Sequence, residues 1–192
     1  MNGIVFLDRD GTLIEDQGYL ADPALVREIP GAAESLGRLA RQGYVLAVVS
    51  NQAGLAKGKL REDQMESVHR AFVEYFRARG VEFAAVEYCP HHPDGIVERY
   101  RMTCGCRKPA SGMAENVLRR LGVSGSYGIW VVGDKMSDIL MGKRLRAETI
   151  LVATGYGEDE LRAGERLGEL PDKFLPSIRE AAEWILTRGK AL

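Results

Sequence analysis

The chain has 192 residues, 45% apolar and 28% charged, which suffices for one well-buried domain and argues against a disordered segment. Its formal net charge of −1 gives no basic field for a nucleic acid or an anionic membrane surface. No stretch approaches the ~20 apolar residues of a membrane span, and the opening MNGIVFLDRDG carries too short an apolar run for a secretory leader, so the expected address is the cytosol.

GIVFLD (3–8) is a β-rich apolar run that ends in acids, with Asp8 followed by Asp10, Gly11 and Thr12. PGAAESLGRLARQG then reads as a helix that opens at Pro30 and stops at Gly43, with Ala33, Leu36, Leu39 and Ala40 on one face. GYVLAVVSN (43–51) is a second strand, delivering Ser50 and Asn51 at its end. REDQMESVHRAFVEYFRARG has an acidic first turn and a stripe of Met65, Val68, Phe72, Tyr75 and Phe76. It closes with a basic last turn, and His69 within it reads as a partly buried packing residue. FAAVEYC (83–89) runs into CPHHPDGIVERYRMTCGC (89–106), which holds every cysteine and two of the three histidines, with Arg107 and Lys108 directly after it.

SGMAENVLRRLG is a third helix, and GIWVVGD (128–134) a fourth strand ending in Gly133, Asp134 and Lys135, with Asp138 farther on. KMSDILMGKRLRA, TILVAT (149–154) and SIREAAEWILTR complete the series as helix, strand and helix. Continuous apolar runs suit strands buried on both faces. Their alternation with helices predicts right-handed crossovers and a doubly wound, Rossmann-like α/β fold, a parallel sheet with helices on both faces. One domain over residues 1–192 is expected, without a large cap domain because no gap is long enough to hold one.

In such a sheet ligands bind outside the carboxyl ends of the strands, where the acids stand. DRDGT alone could be a hairpin turn. It is no calcium loop, because Gly11 directly follows Asp10. Together the strand ends fit phosphoryl transfer. Asp8 and Asp134, with the Asp10 carbonyl, would coordinate Mg²⁺, which offsets the repulsion between a carboxylate and a phosphate dianion. Asp8 would attack phosphorus, and Asp10 would act as general acid and then base. Ser50 and Lys108 would hold the phosphoryl oxygens. Three cysteines cannot all pair, and Cys104-Gly105-Cys106 is too tight for an easy disulfide, so the cluster reads as metal binding in a reducing compartment.

FLDRDGT, VVSNQAG, CRKP and VVGDKMSD resemble, in order, the four motifs of the haloacid dehalogenase superfamily of phosphatases, over residues 6 to 138. DRDGT, the Cys-x-His…Cys-x-Cys loop and CRKP together resemble the D-glycero-D-manno-heptose-1,7-bisphosphate 7-phosphatases, whose relatives are the histidinol-phosphate phosphatases. The twelve residues between His91 and Cys104 look like the heptose enzymes. The resemblance implies Mg²⁺-dependent removal of the 7-phosphate of a heptose bisphosphate, in the supply of activated heptose for lipopolysaccharide core. It implies substrate contacts from EDQGYL (Asp16, Gln17, Gly18 and Tyr19), from SNQA (Asn51, Gln52 and Ala53), and from Arg107 and Lys135. It also implies Cys89, His91, Cys104 and Cys106 as ligands of a structural Zn²⁺, with His92 as the alternative to His91. A filled four-ligand shell would clamp the loop 89–106 beside the active site. The expected partner is a small phosphorylated sugar, and the enzyme is expected to work as a monomer. A zinc module for nucleic acid is the competing class. It is disfavoured because no basic recognition helix follows the cluster.

Overall fold

The computed structural model describes residues 2–122 and 128–188; the expected domain, 1–192, extends into stretches outside the described residues. The five expected strands form: β1 (Gly3–Leu7), β2 (Tyr44–Asn51), β3 (Ala85–Cys89), β4 (Ile129–Gly133) and β5 (Glu148–Val152). A sixth, β6 (Lys173–Leu175), has no counterpart in the sequence reading, since three half-exposed residues make no apolar run. All pairings are parallel, in the order β3-β2-β1-β4-β5-β6. The foreseen helices are α1 (Ala32–Arg41), α2 (Glu62–Arg77), α3 (Gly112–Arg120), α4 (Met136–Arg144) and α6 (Ile178–Arg188). Unforeseen is α5 (Gly157–Leu167), whose buried residues are the glycines Gly157 and Gly164 rather than an apolar stripe. Its acidic first turn, Glu158, Asp159 and Glu160, suits the positive end of the helix dipole.

The sheet is covered on both sides, as the apolar runs require. In β1, Val5 and Leu7 face a core with Leu36 and Leu39 of α1, Phe72 and Phe76 of α2 and Ile185 of α6. Ile4 and Phe6 face the other way, onto Met113 and Val117 of α3 and Met141 of α4. β3 departs from the expectation of full burial: Tyr88 is exposed and Ala85 to Glu87 are half-buried, because this strand is the sheet edge. Among the described residues no helix is long and apolar enough to cross a membrane.

Strand order reverses between β1 and β4. Chain connections diverge from this switch point and leave a crevice at the strands' carboxyl ends. Leu7 is in register with Val132, so Asp8 and Asp134 emerge from adjacent strands near the same level. On the other flank Asn51 is in register with Cys89. The acids and the cysteine loop therefore share one end of the sheet.

Candidate active site

Asp8, the first residue beyond β1, is buried against Lys108, whose Nζ donates to Asp8 Oδ1 at 2.7 Å and to the Val49 carbonyl at 2.7 Å. The same ammonium lies 2.6 Å from Asp138 Oδ1, at the first turn of α4. Burial raises the Asp8 pKa, but the charge and hydrogen bond of Lys108, then Lys135, outweigh it and leave the group below the ordinary value. Asp8 is thus held as an anion. Burial pulls Lys108 toward neutrality, and Asp138 and Asp8 more than reverse it, so the lysine stays charged. Asp138 is pushed up to about 6 by burial, against the pull of Lys108.

Asp134 is fully buried, and its Oδ2 accepts from the Tyr156 backbone N–H at 3.0 Å while Oδ1 has no hydrogen-bond partner. Burial, and next the charge of Asp8, push its pKa up to about 8. An orphaned carboxylate oxygen among fellow carboxylates is costly unless a cation joins it. Asp8, Asp134 and Asp138 each offer an oxygen within 4.8 Å of the others. This donor set is all oxygen, as a hard divalent cation such as Mg²⁺ requires. Space around Asp134 comes from glycine: a Cβ at Gly11 or at Gly155 would fall onto its Oδ2, and both glycines have positive φ, +80° and +63°.

Asp10 is held by two side chains. Arg9 donates from Nε and Nη2 at about the same distances, the Nη2–Oδ2 pair being 2.9 Å, and Gln52 Nε2 donates to Oδ2 at 2.6 Å. Gln52 also donates to Ser50 Oγ at 3.0 Å, which ties the expected acid–base group to the expected phosphate-holding hydroxyl.

These groups open on a cleft of about 460 Å³. Asp8, Asp10, Asp16, Gly18, Tyr19, Ser50, Asn51, Gln52, Ala53, Arg107, Lys108 and Lys135 all line it, as the sequence led one to expect. Gln17 does not. Asp16 Oδ1 accepts from the Gly18 N–H at 2.7 Å in a tight turn, which leaves the Gln17 amide donating to the Leu25 carbonyl instead. Lys135 donates to Asp16 Oδ2 at 3.0 Å and sits 4.7 Å from the centre of the Tyr156 ring. Lys57, Ser137 and Tyr156 line the cleft without having been singled out from sequence. In the sequence Asp138 is only a neighbour of Asp134, and its pairing with Lys108 comes from the fold.

Beside the cleft Cys89, His91, Cys104 and Cys106 converge. The sulfurs are 3.2 to 3.5 Å apart, and His91 Nδ1 is 3.6 Å from Cys89 and 3.4 Å from Cys106. A tetrahedral site with Zn–S bonds of ~2.3 Å has S···S edges of about 3.8 Å, so the four atoms already outline one. His92 turns away, its Nδ1 accepting from the Asp94 N–H at 3.1 Å. Burial raises the pKa values of Cys89 and Cys106, reinforced by hydrogen bonds within the cluster. Burial also acts upward on Cys104, but hydrogen bonds, that from Cys106 the largest, bring it down to about 7. These three sulfurs could all be thiolates only with a cation among them. Soft sulfur with one imidazole suits Zn²⁺. The loop has a second attachment, Arg107 Nη1 donating to the His91 carbonyl at 3.2 Å.

The HAD-hydrolase-like family model matches residues 105–181. The D-glycero-beta-D-manno-heptose-1,7-bisphosphate 7-phosphatase of Vibrio cholerae serotype O1 is 37% identical over 183 residues, 95% of each chain. The protein of the same name from Pasteurella multocida strain Pm70 is 39% identical over 156 residues, 81% of this chain and 84% of that one. Among solved structures, the D,D-heptose 1,7-bisphosphate phosphatase from B. bronchiseptica, complexed with magnesium and phosphate, superposes with a TM-score of 0.83. It is 28% identical and covers 97% of this chain and 99% of that one. With relatives this similar over most of their length, and a fold shared with a solved member, the chain belongs to the D-glycero-beta-D-manno-heptose-1,7-bisphosphate 7-phosphatase family of HAD-like phosphatases.

Proposed function

We propose that this protein removes the 7-phosphate of D-glycero-β-D-manno-heptose 1,7-bisphosphate through a phosphoryl-Asp8 intermediate, with Mg²⁺ as catalytic cation and Zn²⁺ as a structural ion. The observation that carries the reading is the buried Asp8–Lys108 pair beside Asp134, whose Oδ1 is unpartnered. Asp8, Asp134 and the Asp10 carbonyl would hold the magnesium. Its charge, when bound, lets an anionic nucleophile and a phosphate dianion share one site.

Asp8 attacks phosphorus with a carboxylate oxygen, and the bond from phosphorus to the sugar oxygen breaks. Asp10, in its protonated form, gives the departing alkoxide its proton. In the second half Asp10 takes a proton from water, which attacks the phosphoryl group and returns Asp8 as carboxylate. Lys108 and the Ser50 hydroxyl stabilise the phosphoryl oxygens in both transition states. Gln52, bonded to both Ser50 and Asp10, keeps these two roles in fixed relation.

The sugar assignment rests on the names of the relatives and on the cleft. Its volume suits a small phosphorylated sugar, and Lys57 and Arg107 line it with no carboxylate partner among the described residues. Two such cations suit a second phosphate. Three thiols gathered for a metal rather than paired as a disulfide suit a reducing cytosol, and the monomer expected from sequence stands as part of the same reading.

Phosphate release should be compared for both heptose bisphosphate anomers, histidinol phosphate and fructose bisphosphate. The β-heptose compound is expected to have the highest kcat/KM. A preference for histidinol phosphate would overturn the substrate. Asp8→Asn should abolish release while the melting curve stays cooperative, and retained turnover would remove Asp8 as nucleophile.

A further inference from the structure

Lys108 carries the charge that meets the transferred phosphoryl group, yet its main chain belongs to no strand or helix. Residues 101–111 are irregular, so no ladder fixes the backbone N–H and C=O at this position. One side chain takes both. The Lys108 N–H donates to Asn51 Oδ1 at 3.0 Å, and Asn51 Nδ2 donates to the Lys108 carbonyl at 3.0 Å. The carboxamide thereby does for Lys108 what a neighbouring strand does for a strand residue.

The anchor itself is rigid. Asn51 is the last residue of β2 and sits in parallel register with Cys89 of β3. Cys89 holds Cys104 and Cys106 by close sulfur contacts, at 3.5 and 3.2 Å. The chain that delivers Lys108 is therefore pinned twice at one level of the sheet, by the thiol cluster just before the lysine and by Asn51 at the lysine. Accuracy matters here because Lys108 Nζ meets Asp8, Asp138 and the Val49 carbonyl all within 2.6 to 2.7 Å, in a fully buried setting. A shift of half an ångström in its main chain would break contacts that carry charge.

We propose that Asn51 is a positioning residue for Lys108, rather than the substrate contact that the family resemblance implies; this rests on the phosphatase reading above. A contact to the sugar and a clamp on Lys108 differ in what they do to a substrate without a sugar. Lys108 faces the phosphoryl group of any ester, so loosening it should hurt all of them equally.

The test is Asn51→Ala, assayed for kcat/KM on heptose bisphosphate and on p-nitrophenyl phosphate, together with amide hydrogen exchange of residues 107–111 in the metal-loaded protein. The expected result is the same loss on both substrates, roughly 10- to 100-fold as for other small misplacements of a catalytic group, with faster exchange at 107–111. Loss confined to the heptose substrate, or no loss on either, would overturn the clamp. So would unchanged exchange. Asn51→Ser, which can restore only one of the two bonds, should give a smaller loss, again equal on both substrates, and stands in if the alanine variant does not fold. Wild-type protein inactive on both esters would overturn the phosphatase reading, while the exchange measurement would still decide the clamp.

Discussion

Asp134→Asn should make the magnesium-free protein more stable and the magnesium response disappear. The carboxyl titrates near 8 in the fold, chiefly because of burial and the Asp8 charge, against 3.8 when free. For an acid whose pKa is raised by folding, the unfolded chain releases its proton first, so stability falls as pH climbs from about 4 to about 8. At pH 7 that gap amounts to as much as about 4 kcal/mol against the fold. An asparagine at 134 keeps the acceptor for the Tyr156 N–H and can donate toward Asp8, while it carries no charge to desolvate. A gain of about 4 kcal/mol corresponds to roughly 10 °C in Tm for a domain of this size. Thermal melts of both proteins in magnesium-free buffer from pH 4 to pH 8 should show curves that meet near pH 4 and separate steadily above it. Added Mg²⁺ should raise the wild-type Tm and leave that of the variant unmoved. A variant less stable than wild type at pH 7 without magnesium, or one that still gains from magnesium, would refute the assignment of Asp134 as a strained acid awaiting a cation.

Cys106→Ser should lower bound zinc below one per chain, measured by metal analysis, and reduce Tm by roughly 10 °C or more because the ion's binding energy is folding energy. Full zinc content would remove Cys106 from the ligand set. Gly95→Ala addresses how the cysteine loop meets the cleft. A Cβ there would stand 2.9 Å from the Ala56 carbonyl, the same oxygen that accepts from the Ile96 and Val97 N–H groups at 2.8 and 3.0 Å. The strand of chain carrying Lys57 must move, so KM for heptose bisphosphate should rise by about 3- to 10-fold with kcat and zinc content little changed. An unchanged KM would mean that this contact does not place Lys57.

The proposed catalytic acids stood out in the sequence because each follows a continuous apolar run, and such runs have one robust meaning, a strand buried on both faces. Asp8 after GIVFL and Asp134 after IWVVG needed only strand adjacency to meet, and the parallel register of β1 with β4 provides it. The proposed zinc ligands were legible for a different reason. Cysteine and histidine at such spacing have few other uses, and the geometry favours His91 over His92 through ring direction alone. What escaped has no side-chain signature. Tyr156 serves Asp134 through its backbone N–H, α5 packs through glycines, and β6 is three residues long. Lys57 is one lysine in a glycine-rich loop until the fold turns it into the cleft. Gln17 fails the opposite way: it belongs to a loop that lines the cleft, but the turn closed by Asp16 and Gly18 directs it elsewhere.

These particulars point to a division of labour across the sheet. The ends of β1 and β4, at the switch point, carry buried acids to which their neighbours give opposite properties: Lys108 keeps Asp8 an anion, while burial and the Asp8 charge drive Asp134 toward protonation. The ends of β2 and β3 carry support. Ser50, Asn51 and Gln52 arise consecutively at the end of β2, and Asn51 and Gln52 are engaged with Lys108 and Asp10 rather than turned wholly to the cleft. Alternation along a strand explains how neighbours can do this. Asn51 reaches sideways to Lys108 at the β3 flank, and Gln52 reaches back over β1 to Asp10. The thiol cluster on Cys89 then stands directly before Lys108, which no strand delivers. A phosphatase without an inserted cap must build its cleft wall from loops, and loops hold position only where something outside their own backbone ties them. Here the ties are the sulfur of Cys89 on β3 and the carboxamide of Asn51 on β2, side by side at one level of the sheet, which is why loss of either should reach Lys108 before it reaches the substrate.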